Sequence, residues 1–254
     1  MNTAILMIAH GAPESEGKDC ATINAEKVRK ATGIPTYVGY LHLEPSIKDA
    51  IGRMADDGVE QIMAIPLFIT PGGLLDVILR KDFGFDPGVT AGTVECSGRS
   101  IGIRFLGTFG THPKMADVLR GVCERNGATP SDTDVMLIFH GSRKEGRDEN
   151  ADICIGYLDS MGFEAITAYN EFQHPTVEEA LEVLRSKEKD ILVIPMFVSP
   201  GSHTTEDIPP KLGLTEGRSR IFDAEGRGIR LTYEQEIGMD DGIIDILLEM
   251  IRAQ

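Results

Sequence analysis

The sequence has no excess of positive charge and no long apolar run. Lys and Arg number 25 against 40 Asp and Glu, which gives a formal net charge of −15. A general nucleic-acid binder needs a basic face, and so does a protein held at an anionic membrane surface. The longest apolar run that reads as buried, residues 191–198, has eight residues, whereas a bilayer-spanning helix needs about 20. We therefore expect a globular protein with no nucleic-acid or membrane partner.

Cysteine is scarce, and several common motifs are absent. The four cysteines are scattered without a C-x-x-C pair, which favours reduced, buried thiols in the cytoplasm. The apolar N-terminal stretch lacks a basic region before it and ends at once in His10-Gly11, so we expect no signal peptide. There is no G-x-G-x-x-G after a strand, no G-x-x-x-x-G-K-[ST] and no G-x-S-x-G. Nothing therefore indicates a nucleotide or a serine nucleophile.

The chain repeats itself with a period near half its length. Four segments recur in order at offsets of 130, 130, 129 and 128 residues. In the third match, residues 65–73 and 194–202 share five of nine positions. The paired segments are 5–11 with 135–141, 44–51 with 174–181, 65–73 with 194–202, and 109–110 with 237–238. We interpret this as a tandem duplication, with an N-terminal repeat at 1–130 and a C-terminal repeat at 131–254.

Each repeat alternates strands with helices. In the first half the pattern predicts strands near 4–9, 36–43, 61–69 and 101–108, an irregular Gly-rich stretch at 84–100, and helices at 19–32, 46–57, 73–82 and 113–126. In the second half it predicts strands at 134–139, 163–171, 190–198 and 229–235, a loop with a short helix after the third strand, and helices at 146–160, 175–187 and 240–252. Such alternation is typical of parallel sheets with right-handed crossovers. We expect an α/β fold of two doubly wound domains, each with four parallel strands, facing each other across a cleft.

Three polar residues follow neighbouring strands of the second repeat. His140 follows the first strand, Glu171 the second, and His203 lies in the loop after the third. Ligands of such sheets bind outside the carboxyl ends of the strands. A lone His or Glu is usually structural or solvated, but three at matching topological positions favour a functional site.

The first repeat serves as an internal control. It keeps His10, but a constant offset aligns Leu41 with Glu171 and Leu74 with His203. Residues needed by the fold would be present in both halves, so the difference favours chemistry in the second repeat and a degenerate site in the first. His10 stays an additional candidate metal ligand. His42 lies one position out of register, and His112 and His174 read as structural.

Two histidines and a glutamate suit a divalent metal. Neutral imidazole binds divalent cobalt, nickel, iron and zinc well. Imidazole also accepts and releases protons near neutrality. The three residues are therefore either a standing metal site or one that receives a metal and passes it on.

Basic residues are concentrated just after His140, in an acidic chain. Arg143, Lys144 and Arg147 lie close together there, and Ser142 is expected at the N-terminus of the next helix. Basic side chains are unfavourable at a helix N-terminus. This density therefore favours anion binding, with a hydroxyl or backbone amide of Ser142 holding a substrate carboxylate.

These residues resemble the class II tetrapyrrole metal chelatases, most closely the long, two-domain sirohydrochlorin cobaltochelatases. The resemblance covers essentially the whole chain. It rests on four pieces of sequence: His-Gly-Ser-Arg at 140–143, Glu171 before Pro175, Pro-Met-Phe-Val-Ser-Pro-Gly-Ser-His at 195–203 with Asp-Ile-Pro at 207–209, and Gly-Thr-His-Pro at 110–113. The segment around Glu171 reads Asn-Glu-Phe-Gln-His-Pro, where the family has a Leu-Glu-Leu-Ala-Glu-Pro type. In the first half, Ala12-Pro13 replaces Ser-Arg and Leu74 replaces the loop histidine.

The resemblance implies insertion of a divalent metal, cobalt in the first place, into sirohydrochlorin. His140 and His203 would present the metal, and Glu171 would help to accept the two pyrrole protons. Ser142, Arg143, Lys144 and Ser202 would contact the tetrapyrrole carboxylates. No permanent cofactor and no ATP are expected, and the protein would be a cytoplasmic monomer or homo-oligomer. The alternatives are a ferrochelatase or nickel chelatase on the same scaffold, a metal or tetrapyrrole carrier without turnover, and a structural or regulatory α/β protein.

Overall fold

The chain forms two α/β units. The computed structural model describes residues 2–11, 20–70, 72–143, 148–224 and 227–254. The first unit comprises Met1–His112 with Ile243–Gln254, and the second comprises Pro113–Gly242. The first contains β1 (Thr3–Ala9), α1 (Cys20–Thr32), β2 (Thr36–Tyr40), α2 (Ile47–Asp56), β3 (Gln61–Pro66), α3 (Gly72–Ile78), a π-helical turn (Leu79–Phe83), β4 (Ala91–Cys96) and β5 (Arg99–Phe105).

The second unit repeats this order. It begins with α4 (Met115–Arg125) and continues through β6 (Thr133–Phe139), α5 (Glu149–Ser160), β7 (Ala165–Tyr169), α6 (Val177–Arg185) and β8 (Asp190–Pro195). A π-helical turn (His203–Asp207), α7 (Ile208–Lys211), β9 (Ser219–Ala224), β10 (Arg227–Tyr233) and a 3₁₀ turn (Ile237–Met239) follow. The last helix is α8 (Gly242–Arg252).

The two sheets have the same strand order. One runs β2-β1-β3-β5-β4 and the other β7-β6-β8-β10-β9. The strands β1 and β6 lie inside their sheets, and residues 4–8 and 135–138 are fully buried. These continuous apolar runs are typical of a strand covered on both faces. The order places the carboxyl ends of β7, β6 and β8 side by side.

The helices begin and pack in the same way in both units. A capping box starts α2 at Ser46 with Asp49, and another starts α6 at Thr176 with Glu179. Each helix buries the apolar face that its sequence spacing predicts. Among the described residues, no helix is both long enough and apolar enough to cross a membrane.

Each sheet has a fifth strand that the sequence pattern does not predict. The four predicted parallel strands are present in each half, but each sheet is mixed, because β4 pairs antiparallel with β5 and β9 pairs antiparallel with β10. The stretch read as irregular, 84–100, therefore contains a strand at Ala91–Cys96. The turn between β4 and β5 consists of Ser97 and Gly98, with φ of 52° and 72°. Two positive-φ residues are typical of a tight hairpin turn, and the Ser-Gly pair was the available signal.

The compact units exchange their last helices relative to the sequence repeats. The repeats divide the chain at 130, but α4 belongs to the second unit and most of α8 to the first. In the second unit Arg125 Nη1 lies 2.6 Å from Asp240 Oδ2. In the first, His112 Nε2 lies 3.8 Å from Glu249 Oε1. Both helices present buried apolar residues at i, i+3, i+4, i+7 and i+8, and this pattern does not specify which sheet the helix covers.

All four cysteines are free thiols, as expected. Cys20, Cys123 and Cys154 are buried, and Cys96 is partly buried. Burial raises the pKa of Cys123 to about 11 and the pKa of Cys154 to about 12. These thiols therefore act as small apolar groups of the core.

A glycine in each unit allows two backbone segments to approach closely. A Cβ on Gly110 would lie 1.9 Å from the carbonyl oxygen of Ile69, and one on Gly238 would lie 2.3 Å from that of Val198. Val198 lies in the loop between β8 and His203. Gly238 therefore sets the path of that loop.

We expect Gly238→Ala to destabilise the fold by about 1–3 kcal/mol, because the new methyl group would displace the backbone at Val198. Gly156, exposed in α5 with nothing within 4 Å of its Cβ position, is the matched control. Gly156→Ala should stabilise by about 0.5–1 kcal/mol. Urea unfolding of the two variants measures both effects, and equal stabilities would contradict the close approach.

Candidate functional site: a histidine pair at the sheet edge

The structure brings together the three residues that the strand ends were expected to deliver. His140 directly follows β6, Glu171 lies two residues beyond β7, and His203 begins the π-helical turn after β8. The Nε2 atoms of His140 and His203 are 3.2 Å apart, and their rings meet edge-on. Single ligand atoms of Glu171, His203 and Asp207 lie within 4.8 Å of one another.

Acceptors beside the histidines fix their tautomers. His140 Nδ1 lies 3.0 Å from the carbonyl oxygen of Gly141, and His203 Nδ1 lies 2.7 Å from Asp207 Oδ2. A carbonyl oxygen and a carboxylate only accept, so each Nδ1 must carry the hydrogen and donate it. In the neutral rings both Nε2 atoms then hold lone pairs that face each other. Such an arrangement is favourable only when a proton or a cation lies between them.

The spacing of the two nitrogens suits a metal ion. Imidazole nitrogens bind divalent transition metals at about 2.0–2.1 Å, so two neighbouring ligands are about 2.9–3.4 Å apart for angles from 90° to tetrahedral. The separation of 3.2 Å between the Nε2 atoms of His140 and His203 falls in this interval. The carboxylate of Asp207 behind His203 is the usual partner of a metal-binding imidazole, because it orients the ring and raises its basicity.

An asparagine and a lysine hold the strand end behind the histidines. Lys211 Nζ donates to the carbonyl oxygen of Asn170 at 2.8 Å and to its Oδ1 at 2.7 Å. This orients Nδ2 of the buried Asn170 towards His203 Nδ1, at 3.2 Å. Since Nδ1 has one hydrogen, it cannot donate to Asp207 and accept from Asn170 together. The shorter contact to the charged carboxylate prevails.

Three of these residues were missed as functional candidates. The sequence places Asp207 only in a motif that resembles the chelatase family, and it predicts no role for Asn170 or Lys211. His203, Asp207 and Lys211 are spaced at i, i+4 and i+8, which places them along one side of a helical segment. That spacing was the available signal.

The glycine after His140 is required by the geometry. Gly141 has a φ of 90°, and a Cβ there would lie 1.9 Å from the carbonyl oxygen of Glu171. The backbone amide of Glu171 donates to the carbonyl oxygen of His140 at 2.9 Å. The His-Gly pair therefore allows the two strand ends to touch, which brings Glu171 to the same sheet edge as the two histidines.

The basic segment after His140 differs in part from its prediction. Helix α5 begins at Glu149, where the Asp148 side chain caps it, so Ser142 does not lie at the helix N-terminus. The backbone amide of Ser142 donates to Gln173 Oε1 at 2.7 Å. Arg143 lies over the ring of Phe172, with Cζ 4.8 Å from the ring centre.

Two residues of that segment fall outside the described part of the chain. These are Lys144 and Arg147. Ser202 directly precedes His203 and is partly buried.

The residue of the first unit that corresponds to Glu171 differs from the one that the sequence offset predicts. The backbone amide of His42 donates to the carbonyl oxygen of His10 at 3.2 Å, as that of Glu171 does to His140. His42, and not Leu41, is thus the counterpart of Glu171. The offset is 130 at His10 and at Pro45 but 129 at His42, because the second unit has one residue fewer between its first two strands and one more in this loop. The rings of His10 and His42 meet edge-on with their centres 4.6 Å apart, and both residues are exposed.

The other position of the first unit is apolar as expected. Leu74, the counterpart of His203, packs against the core of the first unit. The second histidine of the pair is therefore replaced by a core residue there.

Comparison with known proteins decides the family. The family model described as CbiX matches the chain twice, over residues 4–125 and 134–254. The chain belongs to the CbiX family. The two matches follow the two sequence repeats.

Curated relatives extend over the whole chain or over one repeat. A probable sirohydrochlorin cobaltochelatase of Halobacterium salinarum is 26% identical over 229 residues, which cover 81% of this chain and 75% of that protein. A sirohydrochlorin cobaltochelatase of Saccharolobus solfataricus is 32% identical over 121 residues, which cover 46% of this chain and 91% of that protein. One repeat of this chain thus corresponds to nearly the whole of the second relative.

Solved structures share the fold. SirB from Bacillus subtilis, solved with Fe³⁺, has a TM-score of 0.74 at 17% identity, over 99% of this chain and 95% of that one. A CbiX described as the terminal enzyme for siroheme biosynthesis in denitrifying bacteria has a TM-score of 0.66 at 18% identity, over 98% of each chain. The duplicated α/β architecture is therefore that of known chelatases.

We expect Asp207→Asn to weaken Co²⁺ binding about 10–100-fold. An asparagine amide can donate to Nδ1 of His203 and so favour the tautomer whose Nε2 carries a hydrogen and cannot bind a metal. Glu206→Gln, at the exposed neighbouring position, removes the same charge without touching the ring and should leave the affinity unchanged. Titration followed by cobalt absorbance or calorimetry measures both, and equal affinities would contradict the role of Asp207.

Proposed function

We propose that the protein is a sirohydrochlorin chelatase that inserts a divalent metal, cobalt in the first place, into the macrocycle. The observation that carries this proposal is the pair of facing Nε2 atoms of His140 and His203, 3.2 Å apart, with a Glu171 carboxylate oxygen within 4.8 Å of a ring nitrogen of His203. Membership of the CbiX family and the names of the curated relatives support the same reaction.

In the proposed reaction the metal is a substrate. His140 and His203 present the hydrated ion through Nε2, and the ion leaves them for the four ring nitrogens. Two pyrrole N–H protons must leave as the dication enters, so the reaction needs a local proton acceptor. We assign this role to Glu171, because one of its carboxylate oxygens lies within 4.8 Å of a ring nitrogen of His203.

Ligation by two imidazoles also suits release. A site that must hand on its metal should hold it with few protein ligands and leave positions open for the incoming ring nitrogens. The exposure of His140 leaves its Nε2 accessible to a large, flat substrate. The reaction as proposed requires no resident cofactor and no ATP.

Substrate carboxylates need local positive groups, because the chain has a net charge of −15. We assign this role to Arg143, with Lys144 and the hydroxyl groups of Ser142 and Ser202. Arg143 lies against Phe172, whose ring centre is 6.1 Å from that of His140, so its guanidinium is close to the metal-binding pair.

The metal is assigned to cobalt because the curated relatives are named cobaltochelatases. Iron and nickel are the alternatives, since imidazole binds all three divalent ions. A carrier is the alternative without catalysis, and it would hold metal or tetrapyrrole without turnover.

An anaerobic absorbance time course with sirohydrochlorin and Co²⁺, Ni²⁺ or Fe²⁺ tests the proposal. We expect multiple turnovers, and a loss of at least about a hundredfold in rate for His140→Ala and for His203→Ala. Both variants should keep the circular dichroism spectrum of the parent, because both side chains lie at the sheet edge outside the core.

His174→Ala is the matched control for these variants. His174 is exposed and pairs with Glu179 at 2.8 Å, at the start of α6 and not with the facing histidines. Its loss should leave the rate unchanged. Stoichiometric binding without turnover would establish a carrier instead, and full activity of His203→Ala would overturn the assignment of the metal ligands.

A further inference from the structure

An exposed phenylalanine next to the histidine pair has an unfavourable backbone conformation. Phe172 has a φ of 64° and is 51% exposed. The amide of Gln173 donates to the carbonyl oxygen of Glu171 at 2.8 Å, so Phe172 occupies the centre of a three-residue turn of the left-handed kind. Such turns are rare, and positive φ is especially costly for a bulky side chain. The chain thus keeps a strained aromatic residue in a position where glycine would fit without strain.

The turn at Phe172 is specific to the second unit. In both units a tyrosine amide at the end of a strand donates to a proline carbonyl oxygen, from Tyr40 to Pro45 and from Tyr169 to Pro175. Four residues separate the first pair and five separate the second. The additional residue is accommodated in the turn that carries Phe172. The first unit, which lacks the second histidine, also lacks this turn.

The Phe172 ring has two neighbours at the candidate site, one imidazole and one guanidinium. Its ring centre lies 6.1 Å from that of His140, and the Cζ atom of Arg143 lies 4.8 Å from it. Half of its surface faces solvent, so burial offsets the backbone strain less than it would for a core phenylalanine. Strained residues that persist in a fold cluster at ligand-binding sites.

We propose that Phe172 and Arg143 form a binding platform for the tetrapyrrole, in which the phenyl ring contacts a pyrrole unit and the guanidinium binds a peripheral carboxylate. This rests on the proposed function and adds to it the residues that select a flat, conjugated, acidic substrate. A flat π-system gains from contact with an aromatic ring, and a guanidinium stacked on that ring keeps its N–H edge available for a carboxylate.

The test compares Phe172→Gly with Phe172→Tyr. Glycine relieves the positive φ and removes the ring, whereas tyrosine keeps the ring. We expect Phe172→Gly to weaken binding of metal-free sirohydrochlorin about tenfold, measured by absorbance or fluorescence titration. It should raise KM by a similar factor with a small effect on kcat, and leave the thermal midpoint unchanged or raised. Phe172→Tyr should bind sirohydrochlorin within about twofold of the parent.

Glu188→Gly is the matched control. Glu188 is also exposed at a positive φ, of 58°, but it lies in the turn between α6 and β8. Its replacement should relieve backbone strain in the same way and leave sirohydrochlorin binding unchanged. The Co²⁺ affinity in the absence of tetrapyrrole should be that of the parent in all three variants.

Each outcome separates the platform from the chelatase reaction. Unchanged sirohydrochlorin binding by Phe172→Gly would overturn the platform, as would a parallel loss of Co²⁺ binding, which would indicate a structural role. If the parent binds sirohydrochlorin without turnover and Phe172→Gly weakens that binding, the platform stands and the chelatase assignment fails. If the parent does not bind sirohydrochlorin at all, both fail.

Discussion

The candidate site depends on two hydrogen bonds that are donated by the Nδ1 atoms of His140 and His203. The acceptors are the carbonyl oxygen of Gly141 for His140 and the carboxylate of Asp207 for His203, so both Nδ1 atoms carry hydrogens. The Nε2 lone pairs then face each other at a separation that a metal ion can bridge. The rest of the second unit maintains this relation: parallel strands bring the two chain segments to one edge, and Gly238 sets the path of the loop that leads to His203. The proposed metal affinity would thus be a consequence of backbone geometry as much as of the two side chains.

Duplication explains how the same fold contains both a complete and an incomplete site. The two sheets have identical strand order, and His10 occupies the position of His140. Replacement of the second histidine by Leu74, a residue that packs on the core, removes one ligand without affecting the sheet. One additional residue in the second unit creates the turn at Phe172. Small local changes therefore distinguish the strand-end residues of the two units, while both units keep the same sheet architecture.

Much of the fold and the centre of the site could be predicted from the sequence. Apolar runs and repeat spacing identified the parallel strands, and strand ends identified His140, Glu171 and His203. The antiparallel edge strands were missed, because short, partly exposed strands lack a continuous apolar run and their best signal was a Ser-Gly turn. The counterpart of Glu171 was misassigned because a constant sequence offset cannot locate two compensating one-residue length differences, which the strand register and the backbone hydrogen bonds reveal. Asp207, Asn170 and Lys211 act through hydrogen bonds to other residues, and residue type alone does not indicate such a role.

In the proposed site, one metal ion is bound by both imidazoles through Nε2. X-ray absorption spectroscopy of the protein with one equivalent of Co²⁺, in the absence of tetrapyrrole, tests it most directly. We expect scattering from two imidazole rings, with Co–N distances of about 2.0–2.2 Å, and a single ring in either His140→Ala or His203→Ala. A first shell without imidazole scattering, or two rings that persist in both variants, would contradict it.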